Sequence, residues 1–247
     1  MSEGAPTPEH ESHDLDDALG GLRIDPDATP LFVACVGRKG SGKSEFLRTY
    51  ARSWPYDALI VDPTKDLDPE HRFTRPWPGH AGWPAPAEDD PIDHRRFRLA
   101  PDRLKEGHRE EVDAAVLACH QYPEPTLVLV DEARYLLASD EKLLRGTDVV
   151  LNEGRHGPTF VFVANPRAIG MRPLFLHQAD WIVVFDLPNR DDVERVAEHG
   201  DIDTDDLDEL VRNLEVIEGP KGEKVTGFVL IDKRTKTTTV YPPLPLR

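Results

Sequence analysis

Lysine is scarce in this chain: 9 of 247 residues, against 21 arginines, 27 aspartates and 19 glutamates. The resulting formal net charge of -16 excludes a broad basic face that holds nucleic acid by non-specific attraction. Any DNA contact must then come from a locally basic surface, such as the lumen of a ring. Two accounts fit the acidity: a halophilic host, where short carboxylates keep the surface hydrated, or a GC-rich coding bias. Cysteine is nearly missing. Cys35 and Cys119 lie in apolar stretches at no metal-ligand or redox spacing, which excludes a disulfide framework and leaves two buried structural thiols. Long apolar runs are also missing, and no basic-then-apolar leader opens the chain, so the expected location is cytoplasmic.

What is present is organised around Gly37-Arg38-Lys39-Gly40-Ser41-Gly42-Lys43-Ser44, which follows the apolar run 31–36. The order reads as buried strand, glycine-rich loop and helix start, and the pattern is the phosphate-binding G-x-x-x-x-G-K-[ST] in full. Glycines let backbone N–H groups turn inward as an anion nest, and the helix start adds partial positive charge. This places Lys43 on the β- and γ-phosphates of ATP and the Ser44 hydroxyl on Mg²⁺. The helix is expected to stop at Trp54-Pro55.

A second block, 126–132, is an uninterrupted apolar strand ending in Asp131-Glu132. A central parallel strand delivers its last side chains to the carboxyl edge of the sheet, beside the phosphate loop. Asp131 is therefore the expected Mg²⁺ ligand and Glu132 the general base that polarises water. Strands are also expected at 58–62, 159–164 and 181–185, with helices over 104–119, 136–152 and 191–198.

Around this core the chain is less regular. Residues 1–28 read as a flexible acidic arm with a weak apolar patch at Leu15, Leu19 and Leu22. An ATPase domain is expected over 29–213, interrupted at 63–94 by a Pro- and Trp-rich insertion. There Trp77 and Trp83 either pack together or meet a partner subunit or nucleic acid. The trio Arg95, Arg96 and Arg98 reads as a solvated edge or a DNA contact. From 214 to 247 the period changes to that of an antiparallel β meander with an extended tail.

These residues resemble the FtsK/HerA-type DNA-pumping ATPases, especially the genome-packaging ATPases of membrane-containing icosahedral viruses. Four features match in order: 37–44; the strand ending Val61-Asp62-Pro63; Val130-Asp131-Glu132-Ala133; and Gly154-Arg155-His156-Gly157 leading into a strand with a polar end. The resemblance implies an α/β P-loop NTPase fold of the RecA/ASCE type, a mostly parallel sheet flanked by helices. It further implies a homo-oligomeric, hexameric ring acting on double-stranded DNA without sequence readout, with virion vertex or membrane proteins as further partners. Arg155 then matches an arginine that acts on the neighbour's nucleotide, and Asn165 the γ-phosphate sensor, where that family usually has Gln. Arg134, Arg145, Arg167 and Arg172 compete for the trans-acting role. The alternative is a non-motor P-loop switch in virion or membrane-complex assembly; a small-molecule kinase is a third, weaker reading for want of an arginine-rich lid.

Overall fold

A computed structural model describes residues 22, 24–65, 67, 74–77, 79, 96–102, 106–135, 143–219, 222 and 224–244. The apolar runs become strands: β1 (Phe32–Val36), β2 (Asp57–Val61), β5 (Thr126–Val130), β6 (Thr159–Asn165) and β7 (Trp181–Val184), each buried along its whole length. Burial on both faces explains why they read as continuous hydrophobic runs rather than as alternation. Two shorter strands, β3 (Arg75–Pro76) and β4 (Arg96–Leu99), lie at one side.

Among the described residues the main sheet has nine strands, in the order β11 (Thr237–Tyr241), β10 (Phe228–Asp232), β7, β1, β6, β5, β2, β4, β3. Strands β7 to β3 in that order are parallel to one another. Because β6 is inserted between β1 and β5, the phosphate loop and the Asp131-Glu132 pair flank its carboxyl end.

Alternate residues of each strand feed opposite cores. On one face Val36, Val61, Val130 and Val163 pack against helices α2 (His108–Gln121), α3 (Arg145–Glu153), α4 (Pro173–Gln178), α5 (Arg190–Gly200) and α6 (Thr204–Arg212). On the other, Val33, Cys35, Phe160 and Phe162 pack against α1 (Lys43–Ser53), whose Phe46, Leu47 and Tyr50 are fully interior. Leu22 and Ile24 are buried on this second face, and the Tyr50 hydroxyl donates to the Leu22 carbonyl at 2.7 Å. Leu22 is thus the residue of the arm's apolar patch seen to dock; Leu15 and Leu19 lie outside the described residues.

The antiparallel strands expected after residue 214 are present, with a different partition. Strands β8 (Val216–Glu218) and β9 (Lys224–Thr226) form a separate two-stranded ribbon, while β10 (Phe228–Asp232) and β11 (Thr237–Tyr241) form a hairpin. The hairpin joins the main sheet through β10 against β7. Consecutive strands β9 and β10 are separate, broken at Gly227. The physical reason is a close approach: a Cβ at Gly227 would lie 2.5 Å from the Tyr241 carbonyl oxygen.

Three further expectations are adjusted. The helix expected over 136–152 is α3, beginning at Arg145; residues 136–142 lie outside the described set. Trp77 stacks edge-on against Phe97, a packing role, and Trp83 lies outside that set, as does most of 63–94. Of the basic trio, Arg98 is buried and Arg96 donates to the carbonyls of Arg52 and Trp54, so neither lies on an open basic edge. Cys35 and Cys119 are free, buried thiols. Among the described residues, no helix is long and apolar enough to cross a membrane.

Candidate nucleotide site

Strand β1 ends at Val36, and the chain turns through 37–42 directly into α1. This turn needs glycine at two points for different reasons. Gly42 has φ 111°, a left-handed backbone that side chains disfavour, and Val225 closes over it. Gly37 passes so close to Phe185 that a Cβ would meet its Cβ at 2.5 Å. The loop is tied down at its first step: the Arg38 N–H donates to the Asp186 carbonyl at 2.8 Å, and its guanidinium pairs with the Asp186 carboxylate at 2.6 Å. Lys39 and Gly40 form the exposed crest of the turn, and a Cβ at Gly40 would meet nothing.

Lys43 folds back over this loop. Its ammonium donates to the carbonyls of Gly37 at 2.5 Å and Arg38 at 2.8 Å, using two of its three protons. Burial pushes its pKa down to about 8 against the opposing pull of Asp131. At neutral pH it is a cation sunk in the loop, where charge is least screened.

Facing it across the sheet edge, Asp131 continues β5. Its N–H donates to Val61 and its carboxylate accepts from the Glu132 N–H at 2.9 Å and the Ser44 hydroxyl at 3.4 Å. Burial raises its pKa to about 6, with the Glu132 N–H and Lys43 pulling the other way. Glu132 takes a left-handed backbone, φ 54°, unusual for a side-chain-bearing residue. Such a conformation costs about 1–2 kcal/mol and re-aims the chain at the strand end. Its carboxylate is 3.8 Å from the Arg134 guanidinium.

Asn165 closes β6 between the two halves, paired in register with Val36. Both ends of its amide are engaged: Oδ1 accepts from the Arg134 N–H at 3.4 Å and Nδ2 donates to the Arg167 carbonyl at 2.5 Å. Here the amide joins the turn after Glu132 to the loop at 165–170.

The residues fit a bound nucleotide and a hard cation. Ser41 is 1% exposed, its Oγ is turned toward Gly37, and no protein partner satisfies that atom among the described residues. A buried hydroxyl left open inside a glycine-built cradle suits a phosphate oxygen. Ser44 and Asp131 are hard oxygen donors within hydrogen-bonding reach of each other, the donor type magnesium takes. Among the described residues no cluster of three or more His, Cys, Asp or Glu could hold a metal unaided, so phosphate oxygens and water would complete its shell.

Parallel strands, a glycine turn into α1, Lys43 within it and Asp131-Glu132 one strand removed all converge on one sheet edge. The chain has the P-loop NTPase fold. Among solved structures it is similar to the genome packaging NTPase B204 from Sulfolobus turreted icosahedral virus 2 in complex with AMP. The TM-score is 0.65 at 20% identity, over 90% of this chain and 100% of that one. The ATP-γS complex of the same protein gives 0.64 at 19%, over 90% and 100%. The pCW3 conjugation coupling protein TcpA with ATPγS gives 0.53 at 12%, over 90% of this chain and 62% of that one. No family model and no curated protein sequence matches the chain.

The arginines of this P-loop chain divide by edge. Arg134 and Arg167 follow β5 and β6 at the phosphate-loop edge; Arg167 pairs with the buried Asp192 at 3.0 Å. Arg172 precedes α4 and Arg145 opens α3. Residue 155 lies in the 3₁₀ turn Gly154–His156 that leads into β6 at its start. A seven-residue strand separates that turn from Asn165, about 20 Å at the usual rise. The site also includes residues that motif reading missed. Asp186 was legible by the rule that singled out Asp131, since it follows the end of a parallel strand. Thr226 and Val225, which touch the loop from nearly two hundred residues away, carry no sequence signal.

Proposed function

We propose that the chain is a Mg²⁺-dependent ATPase that works as a homo-oligomeric, hexameric ring and moves double-stranded DNA as a viral genome-packaging motor does. The observation that carries this reading is the division of labour between the sheet's two edges. Phosphate loop, Asp131 and Glu132 meet at one; residue 155 stands at the other, beyond reach of its own nucleotide. In this reading an arginine there acts on a neighbour's nucleotide. Similarity to B204 over the whole of that chain supports the packaging assignment.

Catalysis in this reading is positioning and charge stabilisation of a phosphoryl transfer. The loop N–H groups and Lys43 hold the β- and γ-phosphates. Bound by Ser44 and Asp131, magnesium would neutralise charge building on those oxygens. Glu132 accepts the proton of the attacking water. Asn165 holds the turn behind Glu132 in place, and would sense a γ-phosphate only by exchanging one of its two bonds. Arg155 from a neighbour adds the charge the monomer lacks, about 10³ to 10⁵ in rate for an arginine finger. DNA is gripped through phosphates, so no base preference is expected. With a surface this acidic, enclosure by the ring must supply what attraction does not.

The test is ATP turnover by the purified protein with and without double-stranded DNA, at low and high salt, beside Glu132→Gln and Arg155→Ala. Expected are stimulation by DNA, loss in either variant, and partial recovery when the two are mixed, since a sound Glu132 site then meets a sound Arg155. Turnover indifferent to DNA at every salt overturns the motor and leaves a nucleotide switch in assembly.

A further inference from the structure

We infer that Thr226, on the C-terminal ribbon, is a positioning residue for the phosphate loop. Its backbone N–H and its hydroxyl both donate to the carbonyl oxygen of Ser41, at 3.2 and 2.9 Å. In a trans peptide the C=O and N–H of one linkage point in opposite directions, and the linkage bearing the Ser41 carbonyl bears the Gly42 N–H. Two donors pulling that carbonyl out to the ribbon turn the Gly42 N–H the other way, to the loop's interior. An anion nest consists of N–H groups so directed. Glycine peptides change orientation at little steric cost, so the loop that needs Gly42 also needs something to hold its peptides. Ser41 and Thr226 are 1% and 4% exposed, and water does not compete for these bonds.

The ribbon is built to stay there. Val225 lies over Gly42, where an added Cβ would meet its Cγ1 at 2.9 Å. Gly227 lets the chain enter β10 against the Tyr241 carbonyl, and its N–H donates to the Glu215 carbonyl at 2.7 Å, fastening the base of the ribbon. The break between β9 and β10 is therefore what brings Thr226 onto the loop. Among the described residues Lys39, on the rim, shows no such tie, and Arg38 has its own in Asp186.

This role rests on the nucleotide-site reading, and the experiment separates the two. Binding of ATPγS with Mg²⁺ is measured calorimetrically for the full chain, Thr226→Val, Thr226→Ser and Lys43→Ala, with steady-state turnover alongside. Thr226→Val keeps the shape and loses the hydroxyl donor; affinity falls about three- to tenfold, the worth of one net hydrogen bond. KM rises more than kcat falls, and Thr226→Ser binds within about twofold of wild type because the donor is restored. If Thr226→Val does not fold, Val225→Ala loosens the same ribbon while keeping the hydroxyl and is expected to weaken ATPγS. Equal affinity for wild type and Thr226→Val, or failure of serine to restore binding, overturns the role of Thr226. A wild type that binds ATPγS no better than Lys43→Ala overturns the site itself.

Discussion

Asp131→Asn is expected to make the protein more stable at neutral pH and, on the proposed magnesium role of this carboxylate, to abolish any response to the metal. In the folded chain burial holds the Asp131 carboxyl at about 6, against an ordinary value of 3.8. Between those values the folded state binds the proton more tightly than the unfolded state. The stabilisation from protonation is therefore complete below about pH 4 and is lost as pH rises through 6. At pH 7 the ionised carboxylate costs about 3 kcal/mol, two pKa units at 1.36 kcal/mol each. The residue is only 7% exposed, so screening does little to reduce that figure. Asparagine keeps the oxygen that accepts the Glu132 N–H and carries no charge, but it buries an amide in exchange, which leaves a net gain of about 1–3 kcal/mol. At this chain length that is a rise in melting temperature of about 2–12 °C at pH 7. Near pH 4 the gain is gone, and the buried amide leaves the variant no more stable than wild type. Thermal unfolding in chelator at both pH values, repeated with Mg²⁺ and ATPγS, is the assay. A variant less stable than wild type at pH 7, or equally stabilised at pH 4 and 7, refutes the buried-carboxylate argument. Lys43 supplies a corollary: without Asp131 to hold it up, its pKa falls below about 8, and the variant loses phosphate affinity at lower pH than wild type.

Asn165→Gln distinguishes a brace from a sensor. A Cβ at Gly170 would already lie 2.8 Å from Asn165 Nδ2, so an extra methylene crowds that loop and costs about 1–3 kcal/mol; kcat falls with it. Stability and turnover both unchanged in that variant would favour the longer amide of the sensor role. At α6, Asp203 accepts from the N–H groups of Asp205 and Asp206, and Asp203→Ala lowers stability by about 1 kcal/mol in urea unfolding with no change in nucleotide affinity.

Much of the nucleotide site was legible because its chemistry is local. Residues 37–44 are contiguous, so strand, loop and helix start could be read from one stretch, and α1 ends at Ser53 as Trp54-Pro55 require. Asp131 and Glu132 were legible because a parallel strand buried on both faces is a continuous apolar run, and whatever follows it lies on the carboxyl edge. Asn165 could be located by the same rule. Its bonding could not, since the partners at Arg134 and Arg167 depend on how two separate turns settle around it.

The local sequence thus dictated most of the segments that are strands and helices and which residues are offered at the carboxyl edge, but not the break at Gly227. Backbone sterics, capping and burial act over a few residues and leave their mark in composition. Strand order, the insertion of β6 between β1 and β5, the union of β10 with β7, and the ribbon's seat on Ser41 were settled by long-range packing. Two surfaces must find each other in space for those contacts to exist, and a hydrogen bond between residues 41 and 226 leaves no periodicity in the chain between them.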